Sequence, residues 1–242
     1  MSERQAESTA SVENLRLGLR RARELLREAY LKGRRPGWLL RAHARLIDGT
    51  LQGLWRTHGP FSGMALVATG GYGRGEQFPC SDVDLLVLLG AEPTAEERER
   101  LERLIGLLWD IGLEMGHSVR TIEACIETAR ADITIETSLL EARPLAGSAA
   151  LYRRLSKAIE RIVEPTAFLK AKKLEQEQRH AKHRDAPFAL EPNLKEAPGG
   201  LRDLQVIRWI AQACGIGRHW RDLAGRGLLQ RDEALRLARH EA

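Results

Sequence analysis

The sequence predicts an α+β fold, a small sheet flanked by helices and followed by a helical lobe. Three observations carry this. Two short apolar runs, Ala65-Leu66-Val67-Ala68 and Leu85 to Leu89, bracket a glycine loop, Gly70-Gly71-Tyr72-Gly73-Arg74-Gly75. They read as strand, loop, strand. Around them, apolar residues recur three and four apart, the period of a buried helix face. Beyond Gly147 the helical period is the dominant pattern.

In chain order, residues 1–12 are small and polar and are expected to fray. From Val12 to Lys32, Leu15, Leu19, Ala22, Leu25, Leu26 and Ala29 mark a helix with an arginine-rich solvated face. Pro36 with Gly33 and Gly37 breaks it. A second helix is expected from Trp38 to Thr57, ended by Gly59-Pro60. After the paired strands, Thr94 and Glu97 have the spacing of a capping box. The helix they open carries Leu101, Leu104, Ile105, Leu108 and Ile111 and stops at Gly112. Met115 to Thr121 alternates weakly and reads as a third strand, with His117 and Arg120 on opposite faces.

A short helix follows over Ile122 to Arg130, then a periodic segment from Asp132 to Glu141, then a strand or turn from Pro144 to Gly147. Ser148 is placed to cap a helix that runs to Val163. The charged run Thr166 to Arg184 is expected to be exposed or to span between lobes. The last informative stretch, Leu190 to Ala211, is a Pro- and Gly-rich loop entering a helix. Leu204, Ile207, Ile210 and Cys214 are its expected buried stripe, and Glu191, Asn193, Lys195, Glu196, Arg202 and Asp203 make it densely polar.

The bulk numbers narrow the class. At 242 residues, 43% apolar and 29% charged, the chain is an ordinary globular sequence of one large or two small domains. A net charge of +5 permits an anionic partner without requiring one. Aromatics at 5% disfavour a stacking platform, so nucleic acid is not the expected partner. The three cysteines, Cys80, Cys125 and Cys214, form no C-x-x-C and read as reduced thiols of a cytoplasmic protein. No run is apolar over the length that a membrane helix needs.

The chemistry concentrates between Gly70 and Leu89. Asp82 and Asp84 are two apart at the head of a strand, so their side chains share a face. They follow a loop whose glycines let backbone N–H groups approach a ligand. Two carboxylates beside a phosphate-accepting loop suit a divalent cation and a triphosphate. The dinucleotide fingerprint does not fit, because the spacing is G-x-G-x-G and a second strand arrives within a few residues. A parallel crossover needs about a dozen residues, so the two strands are expected to pair antiparallel. A Walker loop is excluded because no Gly-Lys-Ser/Thr follows. The plain alternative is a hairpin whose aspartates only cap it.

Three blocks, GGYGRGEQFPCSDVDLL, GLEMGHSVRT followed by DITIETSLLEARPLAG, and EPNLKEAPGGLRDLQVIRWIA, together resemble the N-terminal part of the bifunctional uridylyltransferase/uridylyl-removing enzymes that modify the PII nitrogen-signalling protein. That family falls in the polymerase-beta-like nucleotidyltransferase superfamily. With the resemblance, the expected organisation is N-terminal helices packing on the core over 1–59, a nucleotidyltransferase core over 60–147 and a helical substrate- or nucleotide-binding lobe over 148–242. The family's phosphohydrolase (HD) and glutamine-sensing (ACT) domains lie beyond Ala242, so uridylyl removal and glutamine sensing are not expected of this chain.

The activity implied is transfer of UMP from UTP to a tyrosine of PII, releasing pyrophosphate. Asp82 and Asp84 become the metal ligands for two Mg²⁺, with Mn²⁺ as a substitute. Gly70 and Gly71 become donors to the β and γ phosphates. Arg74 is expected either on a phosphate or on Glu76, and Ser81 on the triphosphate or capping the strand. The third carboxylate of such sites is unassigned: Glu114 is nearest in sequence and His117 is the substitute. Lys195 and Arg202 are weaker candidates for nucleotide or acceptor contacts. The alternatives are an RNA or small-molecule acceptor, and a non-catalytic nucleotide-binding module.

Overall fold

In the computed structural model, residues 3–59, 61–182 and 193–241 are described, with side chains from residue 12 onward. Pro60, Arg184, Leu190 and Glu191, named above, lie outside the described residues. The chain forms two compact units. The first contains residues 1–127 and 141–157, the second 128–140 and 158–242.

The first unit is built on a four-stranded mixed sheet of order β3-β2-β1-β4. Strands β1 (Met64–Ala68) and β2 (Val83–Leu89) pair antiparallel, Met64 opposite Leu89 and Ala68 opposite Leu85. This is the arrangement expected from the short intervening loop. The loop itself contains one turn of helix, α3 (Gly70–Gly73), which sequence reading did not anticipate. Helix α4 (Ala95–Asp110) carries the chain across so that β3 (Met115–Thr121) runs parallel to β2. The residues read as a strand or turn form β4 (Arg143–Gly147), antiparallel to β1 with an irregularity between Leu66 and Val67.

Strand alternation sorts the sheet's faces. Met64, Leu66 and Ala68 of β1 and Val83, Leu85, Val87 and Leu89 of β2 enter one core with Met115 and Leu145. That core is closed by Leu19 of α1 (Glu3–Leu31), by Ile47, Leu51, Leu54 and Trp55 of α2 (Pro36–His58), and by Leu101, Leu104 and Leu108 of α4. Burying such aliphatic side chains is worth roughly 1.5–3 kcal/mol each. Helix α4 starts with the capping box read from sequence: Glu97 N–H donates to Thr94 Oγ1 and Thr94 N–H to Glu97 Oε2. Two expectations are corrected. Helix α1 begins at Glu3, because Glu, Gln and Ala in its first turns are good helix formers. Pro36 opens α2 at its first position, where the missing N–H costs nothing.

The second unit is helical. The chain crosses between units within α5 (Ile122–Ala131), after α6 (Ile133–Leu140) and within α7 (Ala149–Ile162). Ser148 Oγ accepts from Leu151 N–H at the start of α7, as expected of a cap. Helix α8 (Pro165–Lys182) packs with α6 and α9 (Leu201–Ala213). Helices α10 (Trp220–Gly225) and α11 (Arg231–His240) add a second small core around Trp220, Leu223 and Ala234.

Helix α8, a charged run expected to be exposed or to span between lobes, has one face inside. Phe168 and Lys172 are buried, and Lys172 Nζ donates to Glu175 while lying 4.7 Å from the centre of the Trp209 ring. Helix α9 is rotated from the expected stripe. Gln205, Val206 and Trp209 are buried, whereas Ile207 and Cys214 are exposed. Trp209 draws this rotation, because its faces are covered by Lys172 and by Arg202, the latter at 5.3 Å.

Candidate active site

The glycine turn is placed by its backbone. Thr69 N–H donates to Asp84 O, joining the end of β1 to β2. Gly70 then turns with φ +55, a conformation that glycine adopts without steric cost. Gly73 N–H donates to Thr69 O as the first bond of α3. The N–H groups of Gly70 and Gly71 precede that bond, so the helical ladder does not use them. Gly73 is a glycine for another reason: a Cβ there would stand 2.4 Å from Glu141 O.

Asp82 and Asp84 are both exposed, while Val83 and Leu85 between and beyond them are buried. Alternation therefore puts the two carboxylates on the face of β2 turned away from the core of α1, α2 and α4, at the exposed head of a strand whose later residues on that face, Leu86 and Leu88, are buried. Gln77, itself buried, donates from Nε2 to Ser81 O at 2.7 Å and Asp82 O at 3.1 Å. His43 Nδ1 donates to Gln77 O, and burial pushes its imidazole pKa down. The segment entering β2 is thus held from below by α2. Ser81 is exposed beside it.

Arg74, expected on a phosphate or on Glu76, is engaged by two carboxylates. Its Nε donates to Glu76 Oε2 at 2.9 Å and its Nη1 to Glu141 Oε2 at 2.6 Å. Burial opposes the charge, but Glu141 and then Glu76 raise the guanidinium pKa. A second cluster braces the same turn. Tyr72 Oη donates to Asp48 Oδ1 at 2.5 Å, and Arg143 donates to both Asp48 oxygens and to Tyr72 O. Burial first, and Asp48 second, push the Tyr72 phenol far up. Asp48, Gln77, Glu141 and Arg143 were not singled out from sequence. The one signal for Glu141 and Arg143 was their place in the LLEARPLAG block.

The two candidates for a third polar group separate. Strand β3 pairs Gly116 with Asp84 and His117 with Leu85, so His117 falls on the face of Leu85, away from Asp84. Glu114, two residues before Gly116, falls by alternation on the side of Asp84, and its backbone O accepts from Val83 N–H. Arg23 lies within electrostatic reach of Glu114. Among the described residues no three carboxylate, histidine or cysteine groups converge as a metal site. Two carboxylates still fit Mg²⁺, a hard cation commonly held by one or two carboxylates together with substrate phosphates.

In the second unit the polar loop largely satisfies itself. Asn193 Oδ1 accepts from Lys195 and Glu196 N–H, and Arg202 donates to Gln205 and Glu196. Asp203 accepts from Gln176, Arg179, His180 and Gly199. Lys195 remains exposed.

Residues 54–140 match the model of the nucleotidyltransferase domain, and residues 167–242 that of the GlnD PII-uridylyltransferase family. The chain belongs to the GlnD PII-uridylyltransferase family. A bifunctional uridylyltransferase/uridylyl-removing enzyme of Cupriavidus pinatubonensis is 56% identical over 85% of this chain. Those of Chromobacterium violaceum and Burkholderia mallei are 48% and 53% identical over 96% and 84% of it. The chain spans about a quarter of these relatives' length, 24% to 27%. Its glycine turn and aspartate pair both fall inside the matched nucleotidyltransferase domain.

Proposed function

We propose that this chain transfers UMP from UTP to a tyrosine of a PII signalling protein in the cytoplasm, with pyrophosphate as the second product. The observation that carries the reading is the exposed pair Asp82 and Asp84 beside the glycine turn, in a chain of this family. Family membership alone supplies UTP and PII.

In this reading Asp82 and Asp84 hold Mg²⁺, or Mn²⁺ in its place. When bound, the metal offsets the charge of the triphosphate and stabilises the entering and leaving oxygens. The N–H groups of Gly70 and Gly71 donate to the β and γ phosphates, and Ser81 Oγ donates to the triphosphate. The acceptor hydroxyl oxygen forms its bond to the α phosphorus as the bond to pyrophosphate breaks. Glu114 takes the hydroxyl proton; its support is that it shares the face of Asp84. Arg74 shapes the turn through Glu76 and Glu141.

The test is transfer of α-labelled UTP to purified PII with Mg²⁺, comparing the chain with Asp82→Asn and Asp84→Asn. Label on PII that is lost in both variants is the expected result. No transfer by a folded chain, with UTP binding retained, would replace this reading with a nucleotide-binding module. Transfer that survives both substitutions would mean that the metal ligands lie elsewhere.

A further inference from the structure

We propose that Glu141 and Arg143, about seventy residues downstream of the glycine turn, are positioning residues that set the turn's backbone for nucleotide binding. The inference rests on the function proposed above. Three consecutive turn residues are gripped by the segment entering β4. Arg143 Nη2 donates to Tyr72 O at 3.3 Å and to Asp48 Oδ1 at 3.1 Å, and Asp48 also accepts from the Tyr72 hydroxyl. Gly73 packs against Glu141 O so closely that no Cβ fits. Arg74 Nη1 donates to Glu141 Oε2 at 2.6 Å, with the Glu141 side chain only 5% exposed.

These contacts fix the turn from its C-terminal side, leaving Gly70 and Gly71 at its start. They use buried charge where apolar packing would hold a loop at less desolvation cost. Charge-assisted bonds from a guanidinium fork are directional and fix orientation. What they orient is a run of backbone N–H groups, whose binding of phosphate depends on their relative angle. Neither Glu141 nor Arg143 needs to touch substrate for this.

The experiment compares the whole chain with Glu141→Leu, the near-isosteric Glu141→Gln, and Thr94→Ala. Thr94→Ala removes the α4 cap and serves as a destabilised control away from the turn. Two readouts are taken well below each Tm: KM and kcat for UTP, and amide hydrogen exchange of residues 70–75. Glu141→Leu is expected to raise KM on the order of tenfold with kcat little changed, the signature of lost uniform binding. Exchange in the turn quickens by a similar factor, while β1 and β2 keep their protection. Glu141→Gln, which retains an acceptor for Arg74, falls between. If both Glu141 variants follow Thr94→Ala, with lower Tm but unchanged KM and turn exchange, the inference is overturned. Should Glu141→Leu not fold, Glu141→Gln decides alone. If the unsubstituted chain transfers nothing, the proposed function fails, and the exchange readout still decides whether Glu141 sets the turn.

Discussion

Gly116 of β3 lies in register with Asp84 of β2, and a Cβ at residue 116 would stand 2.8 Å from Asp84 Oδ1. The strand beside the aspartate pair is thus bare where it faces a carboxylate. The atom in the way is the far end of a side chain, so the fold can yield cheaply by turning that carboxylate. Gly116→Ala is therefore expected to leave Tm within about 2 °C, since Ala suits a strand at least as well as Gly. It should raise the Mg²⁺ concentration needed for half-maximal transfer several-fold. A Mg²⁺ titration of the transfer rate, beside a thermal melt, checks both halves. An unchanged Mg²⁺ requirement would separate Asp84 from metal binding.

Gly73 presents the opposite case. Its Cβ would meet Glu141 O at 2.4 Å and Ala68 O at 3.1 Å, both backbone atoms, the first just before β4 and the second at the end of β1. Gly73→Ala forces backbone apart, and overpacking of this kind costs about 1–3 kcal/mol. At Gly71 a Cβ would meet the Arg74 guanidinium at 3.4 Å and Glu76 O at 3.8 Å, both ordinary van der Waals distances, so Gly71→Ala is expected to cost well under half as much. Denaturant melts of the two variants should rank them in that order.

The parts legible in sequence are those fixed by neighbours in the chain. The antiparallel pairing of β1 and β2 followed from a connection too short for a crossover. The α4 cap followed from Thr94 and Glu97 three residues apart, and β3 from the alternation of Met115 to Thr121. The missed features depend on distant partners that leave no spacing signal. Arg74 meets Glu141 67 positions away, and Asp48 meets Arg143 95 positions away. The rotation of α9 belongs to the same class: Ile207 is as apolar as Val206, but only the face of Val206 and Trp209 has α8 to pack on. Asp82 and Asp84 could be singled out as candidates because the signal is local, two residues apart at the head of β2.

The Asp203 hub makes part of the second unit's stability depend on pH. Burial pushes this carboxyl's pKa up, but hydrogen bonds from Gln176, Gly199 N–H and His180 together bring it below the usual range. A depressed folded pKa means that the unfolded chain binds the proton more readily. The stabilisation is then complete above the unfolded value of about 3.9 and is lost as pH falls through the lower folded value. Asp203→Asn removes this linkage. The stability gap between the chain and Asp203→Asn is expected to close as pH falls below about 4. Denaturant midpoints between about pH 5 and 3 measure it. A gap that persists or widens below about pH 4 would contradict the hydrogen-bond account.

Lys172 is the least expected interior residue, 1% exposed on a helix that reads as solvated. Its stem and ammonium lie between Phe168 and Trp209, and Glu175 is an ion-pair partner at 2.8 Å. Met matches the stem's volume and packs well against aromatic rings. Glu175 is one-third exposed and can recover water. Exchanging a buried ion pair for apolar packing is often neutral or stabilising, so Lys172→Met should fall within about 1 kcal/mol of the parent. Lys172→Ala, which empties the space between the rings, should lose about 2–4 kcal/mol. The Met variant carries a second signature. Burial raises the pKa of Glu136, and Lys172 partly offsets that rise. Without the cation, Glu136 binds its proton more tightly in the folded state than in the unfolded one. Lys172→Met should therefore gain stability relative to the parent as pH is lowered from 7 towards 5, because a raised folded pKa favours the fold at the acidic side. Paired melts at the two pH values decide it, and a relative loss on acidification would show that Lys172 does not act on Glu136.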